Sequence, residues 1–423
     1  MLKHLKLLTF ILSLFVTVAL SAQNLLQRMT DDPSVGAGIY KPYFTDRGGQ
    51  TYSKPLKGYK PFYISHFGRH GSRYFSGPHN MKPTLDCFEA AKAQGLLTAR
   101  GDSLYNVIMA IFQEHESMLG ELAPLGGREH RGIAQRMYGR EKAVFASKER
   151  TRVRSVSSVV PRCLVSMANF TEELSNYAPA LNIEYLAGRR YNDSYISVKT
   201  SEEFMPGATL IIDSLKREHF HPETLFALYF TEPQKMMEGT ADPYAVEMGL
   251  YYFWAICYDL DFMGLDLTPL IPMEELAACA AVGNAYRYAK VSLSKEFGKY
   301  PRPKGAALLK DLLDKAQDAL TEGSDVAADL RFIHDSGFVP LCTLLGLDGF
   351  PAFETVRAHK EWNAADVVPM CANLQVIFYK NKDKDVIVKV LVNEVESSIS
   401  GLVPVSGKYY RWEDLRNLML NSK

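Results

Sequence analysis

Cysteine, tryptophan and net charge are scarce in this chain. Of 423 residues only six are cysteine and three tryptophan, while 48 lysines and arginines balance 48 aspartates and glutamates. The cysteines, at 87, 163, 257, 279, 342 and 371, stand singly with no CxxC pair, which argues against a zinc site. Most lie in apolar helical patterns such as YYFWAICYDL, so buried free thiols are expected ahead of a disulfide framework. The zero charge balance provides no global field for nucleic acid or an anionic membrane, so any anion must be held locally. Glycine-rich loops of the GxxxxGKS/T or GxGxxG kind are missing, which disfavours a nucleotide-dependent enzyme. Internal repeats and low-complexity tracts are missing as well.

One long apolar run is present, at the start. Lys3 and Lys6 precede Leu7–Leu20, and the small residues Ser21 and Ala22 follow. That is the layout of a secretory signal peptide over residues 1–22, too short and wrongly flanked for a membrane anchor. The mature chain is therefore expected to be exported, periplasmic or secreted, with no membrane partner. Its apolar content of 47% supports two domains or one large domain with an insertion.

Short aromatic and β-branched runs predict strands at PFYISHF (61–67), at ERTRVRSVSSVV (149–160) and at AADLRFIHD (327–335). The second runs into PRCLVSMANFTEEL, a helix opened by Pro161, and the third into FVPLCTLLGL, a short buried helix. NLQVIFYK and DVIVKVLVNEV flank NKDKD as a hairpin, and RWEDLRNLML reads as a last helix. Residues 176–326 are dominated by helical periodicity. The expected fold class is α/β: a three-layer core with a mixed central sheet (23–175 and 327–423) and an inserted, mainly helical cap (176–326).

Ligands of open α/β sheets collect at the carboxyl ends of strands. Here those ends carry Arg69, His70 and Arg73, then Arg162, then His334 and Asp335. Each group has a task if the ligand is a phosphate monoester. Guanidinium forks pair with phosphate oxygens and stay charged at every working pH. A neutral imidazole can attack phosphorus and carry the phosphoryl group. Asp335 can protonate the leaving oxygen if an apolar or anionic setting keeps its proton on. No metal and no other cofactor is called for.

In this order the motifs resemble those of the histidine acid phosphatases, in particular the branch with phytases and multiple inositol polyphosphate phosphatases. RHGSR is similar to that family's RHGxR, and PRCLVSMANF to its downstream arginine-led helix. RFIHDSGFVPLCTLLGL is similar to its HD segment, and LAPLGGREHRG to its Leu-Thr-x-x-Gly segment. The resemblance implies His70 as nucleophile, Arg69, Arg73 and Arg162 as phosphate clamp, His334 as a further phosphate-binding group that donates to the transition state, and Asp335 as proton donor. It also implies an acid phosphomonoesterase with a small phosphorylated substrate, inositol hexakisphosphate or its lower products. The chain departs from the pattern in Tyr74-Phe75, where proline is usual. It departs again in Ser336-Gly337, and in His-Asp where the inositol polyphosphate branch often has His-Ala-Glu. All three fall at the pocket rim.

Blander readings compete at several positions. Arg150, Arg152 and Arg154 alternate and share one strand face, either as a solvated face or, through Arg154, as a secondary phosphate contact. Arg162 competes with Arg154 for the clamp. His66 is expected to be a structural partner, and LYYFWAICY core of the cap. A broad or sugar-phosphate acid phosphatase is the alternative enzyme, and a silent phosphate-binding protein the non-enzymatic one.

Overall fold

The computed structural model describes residues 24–43, 51–196, 204–352, 354–356 and 362–421. The apolar leader lies outside them. A short run of aromatic and β-branched side chains makes Lys60–Arg69 the first strand, β1, buried on both faces from Phe62 onward. Three further strands run parallel beside it: β2 (Arg152–Ser157), β3 (Asn182–Ala187) and β4 (Val326–Ile333). β4 lies between β1 and β2 and is buried along its whole length, as a central parallel strand must be. The hairpin β5 (Asn373–Lys380) and β6 (Val386–Val392) adds antiparallel strands beyond β1, followed by the short β7 (Val395–Glu396) and β8 (Tyr409–Arg411). The sheet order is β3-β2-β4-β1-β5-β6-β7, with β8 also on β6, so the sheet is mixed as expected.

The period of two assigns each strand residue to a face. On one face Ile64, Val153, Leu330 and Phe332 pack against two helices. These are α3 (Pro124–Arg140) and α4 (Pro161–Tyr177), which follow α1 (Lys82–Ala93) and α2 (Ala99–Glu114) in the chain. On the other face Tyr63, Phe67, Val376 and Val388 join a larger core. That core includes α8 (Arg302–Leu320), α9 (Asp335–Leu344) and α10 (Trp412–Asn421). Between β3 and α8 come α5 (Phe204–His219), α6 (Pro243–Cys257) and α7 (Met273–Val291), with shorter helices at Pro222–Tyr229 and Pro233–Gly239. LYYFWAICY makes up the end of α6 and the residue after it, and most of it is buried, as its composition predicts.

One stretch differs from the sequence reading. Residues 182–187 fall in the region read as helical, yet they form β3 at the sheet edge. An edge strand that is half exposed needs no strong apolar alternation, and NIEYLA has little. All six cysteines are free thiols, and five are buried. No helix among the described residues is long and apolar enough to cross a membrane.

Candidate active site

The end of β1 delivers the first cluster. The Arg69 amide donates to the Ala372 carbonyl at 2.7 Å and the His70 amide to that of Ile333 at 3.1 Å, so the turn is held by both neighbouring chain segments. After it, the Ser72 amide and hydroxyl both donate to the buried Glu129 carboxylate at 2.9 and 3.0 Å. Gly71 passes so close to α3 that a β-carbon there would sit 2.6 Å from the α-carbon of Gly126. The backbone at 72–75 is further tied to Gly120–Ala123. His70 is thereby fixed at the bottom of a cleft, 2% exposed.

Its orientation follows from one contact. His70 Nδ1 lies 3.0 Å from the Gly71 carbonyl oxygen, which can only accept. Nδ1 therefore carries the proton, and Nε2 keeps the lone pair. Burial, then the charges of Arg69, Arg162 and Arg73 and the His334 ring, push the His70 pKa well below its ordinary value. The imidazole is neutral, the form a nucleophile needs.

The arginines are anchored to carbonyls and not to carboxylates. Arg69 Nη1 donates to the carbonyls of Ile39 (2.9 Å) and Val368 (2.7 Å), Arg73 Nη1 to that of Tyr74 (2.7 Å) and Arg162 Nη1 to that of Gly120 (3.2 Å). A carbonyl fixes a guanidinium without neutralising it, so all three keep their full charge for a ligand. Burial, with Arg73 and Arg287 nearby, lowers Arg69 to about 10, still charged below that pH.

The end of β4 supplies the remaining pair. The His334 ring centroid is 5.6 Å from that of His70, and its Nε2 is 3.0 Å from Ser158 Oγ. Burial and the arginines lower its pKa to about 3, so it too is neutral. Asp335 opens α9, where the Ser336 amide donates to its Oδ1 at 2.9 Å. Its setting is the reverse of the apolar or anionic one expected. Burial alone would raise its pKa, but Arg287, Arg69, His334 and Lys290 outweigh burial and hold it well below the usual carboxylate range.

These groups line one cavity of about 530 Å³. It holds Arg69, His70, Arg73, Arg162, His334 and Asp335 together. Arg154 is elsewhere. It projects toward α8, pairs through Nε and Nη2 with Asp329 at 2.7 and 2.6 Å, contacts Asp318, and is 7% exposed. Neither expected role, phosphate contact or solvated face, fits it; mid-strand, it faces carboxylates. His66 is buried against Phe170, with a pKa lowered to about 3 by burial, in line with a structural partner.

Three cavity cations were not singled out in the sequence: Lys216 of α5, and Arg287 and Lys290 of α7. Arg287 Nη1 contacts Asp335 Oδ2 at 2.7 Å. The signal was available in part, since Arg287 and Lys290 are a basic pair in the mostly apolar ELAACAAVGNAYRYAK. Among the described residues, six lysine and arginine side chains thus face the cavity against one carboxylate.

No protein-family model and no curated protein sequence matches the chain. Its fold does match solved structures. Bifidobacterium longum multiple inositol polyphosphate phosphatase, in complex with inositol hexasulfate, aligns with a TM-score of 0.74 at 19% identity, over 91% of this chain and 97% of that one. The phytase from D. castellii aligns at 0.66 and 13% identity, over 92% and 84%. Hafnia alvei phytase in complex with myo-inositol hexakis sulphate aligns at 0.55 and 10%, over 87% and 98%. At these identities the likeness is one of fold.

Proposed function

We propose that this chain, which has the fold of the histidine acid phosphatases, is an exported, metal-independent phosphomonoesterase acting on inositol polyphosphates. The observation that carries the reading is the charge of the cavity. Three arginines surround the neutral His70, and Arg287, Lys216 and Lys290 extend the positive lining outward. A single phosphoryl group does not need six cations; a ligand carrying several phosphates does. The structural neighbours with inositol hexasulfate and hexakis sulphate bound support the same substrate class. The helices between β3 and α8, which supply the outer cations, act in this reading as a cap on the core.

The reaction proceeds in two displacements. His70 Nε2 attacks phosphorus while Arg69, Arg73, Arg162 and His334 hold the equatorial oxygens. The Nε2–P bond forms as the P–O ester bond breaks, and the departing oxygen takes its electron pair and a proton from the Asp335 carboxyl group. Water then attacks phosphorus and gives a proton to the Asp335 carboxylate; the N–P bond breaks, and phosphate leaves. Guanidinium groups supply the positive charge, so no step calls for a metal.

Phosphate release from inositol hexakisphosphate and from glucose 1-phosphate, at about pH 4.5 with chelator present, tests this. We expect fast release from the first, lost in His70→Ala and strongly reduced in Asp335→Asn. Release from the sugar phosphate alone would move the function to a general acid phosphatase. No release from either, or loss of activity with chelator, would overturn the reading.

A further inference from the structure

The proton donor of the proposed reaction is paired with a cation. Arg287 comes from α7 and Asp335 from the first position of α9, and their contact at 2.7 Å lies on the cavity wall with side chains 20% and 13% exposed. The contact is single-pronged, Nη1 to Oδ2. No other hydrogen bond holds the Arg287 guanidinium among the described residues, whereas Arg69 is fixed by two carbonyls. Around Arg287 stand Tyr40, Tyr252 and Tyr286, with Arg69 as the nearby like charge. Around Asp335 stand Arg69 from β1, Arg162 from α4, Arg287 and Lys290 from α7, Lys304 from α8, and His334 beside it. A carboxylate so placed cannot donate a proton as it stands.

Building on the phosphatase reading, we propose that Arg287 is a substrate-displaced counter-ion: it holds Asp335 until a substrate phosphate draws the guanidinium away and lets Asp335 take the proton it later delivers. The exchange is favourable because a guanidinium fork meets a phosphate group in a bidentate pair of higher charge than one carboxylate oxygen offers. The phosphate also occupies Arg69 and Arg162, which removes their field from Asp335 at the same moment. At acid pH the carboxylate then binds a proton from solvent, and that proton passes to the leaving oxygen. Arg287 is thus a positioning residue that couples a filled site to an armed acid.

The coupling has a kinetic signature. The pH dependence of kcat/KM reports groups of the free enzyme and that of kcat those of the complex. For inositol hexakisphosphate, activity falls as pH rises through the Asp335 pKa, and the kcat limb is expected at higher pH than the kcat/KM limb. Arg287→Gln should move the kcat/KM limb upward, by roughly 1–3 pH units for loss of an adjacent arginine, until the two limbs meet. Arg287→Lys should keep them apart. Substrate ionisation is common to all three enzymes, so the difference belongs to residue 287. Limbs that coincide in the natural enzyme, or that do not move in Arg287→Gln, overturn the inference. A crystal structure with inositol hexasulfate is the second readout. Arg287 is expected more than about 4 Å from Asp335, beyond ion-pair range, with its fork on a sulfate; an intact pair overturns the inference. The natural enzyme is also assayed on p-nitrophenyl phosphate, whose leaving group needs no proton. Turnover there, with unmoved limbs, removes only the counter-ion; no turnover on any ester removes the phosphatase reading with it.

Discussion

Gly71 and Gly126 show how little room the support of His70, the proposed nucleophile, leaves. Each would push a β-carbon into the other's backbone or that of Ser72, at 2.4 to 2.9 Å, and backbone cannot swing aside as a side chain can. Gly71→Ala should therefore separate the turn from α3 and shift His70 off its line. The expected result is a loss of about 1–3 kcal/mol in denaturant unfolding, the usual cost of overpacking, and a fall in kcat of at least tenfold. Unchanged kcat would mean that the turn tolerates displacement. Arg69, His70, Arg73, His334 and Asp335 were legible because each stands beside a strand end in a short motif. Arg287 was not, because its partner is 48 positions further along, on another helix, and spacing in the chain says nothing about that meeting.

At the scale of elements, α7 is the part of the cavity wall that combines scaffold and charge. Ala277, Cys279 and Ala280 are buried in the core, while Gly283, Arg287 and Lys290, at helical spacing, line the cavity. Lys216 of α5 adds a further charge, partly engaged with Asp213 at 3.6 Å. Lys216→Ala should raise KM for inositol hexakisphosphate roughly fivefold, the worth of about 1 kcal/mol for one partly screened charge. The effect on a substrate with a single phosphate should be smaller, and steady-state kinetics on both substrates checks it. An equal effect on both would place Lys216 at the reacting phosphate. β1, β2 and β4 were readable as strands because buried strands need aromatic and β-branched residues. β3 was not, since an exposed edge places no such demand on Asn182–Ala187.

For the molecule as a whole, acid is both the proposed working condition and a cost. His66 and His130 are buried with pKa values lowered by burial to about 3 from an ordinary 6.5. The unfolded chain therefore binds their protons more readily below pH 6.5. The stability they contribute is fully present above that pH and is lost as pH falls from 6.5 toward 3. By pH 4.5 the loss is about 2–3 kcal/mol for each histidine. His66→Phe keeps the ring stacked on Phe170 and removes one titration. Its unfolding free energy should fall less between pH 7 and pH 4.5 than that of the natural chain, by about that amount. Equal falls would show that His66 accepts its proton without unfolding.

The place of β4 has a consequence in time. It lies between β1 and β2 but is encoded at 326–333, after both neighbours and after every helix that carries an outer cation. While the chain is being made, β1 and β2 wait with open edges, and closing that gap joins segments more than 260 positions apart. Until then no partial product holds both halves of the proposed chemistry, because His334 and Asp335 arrive with the strand that joins β1 to β2. On the proposed reading the nascent protein is thus chemically silent, and with two bare strand edges it is most prone to aggregate just before β4 joins them.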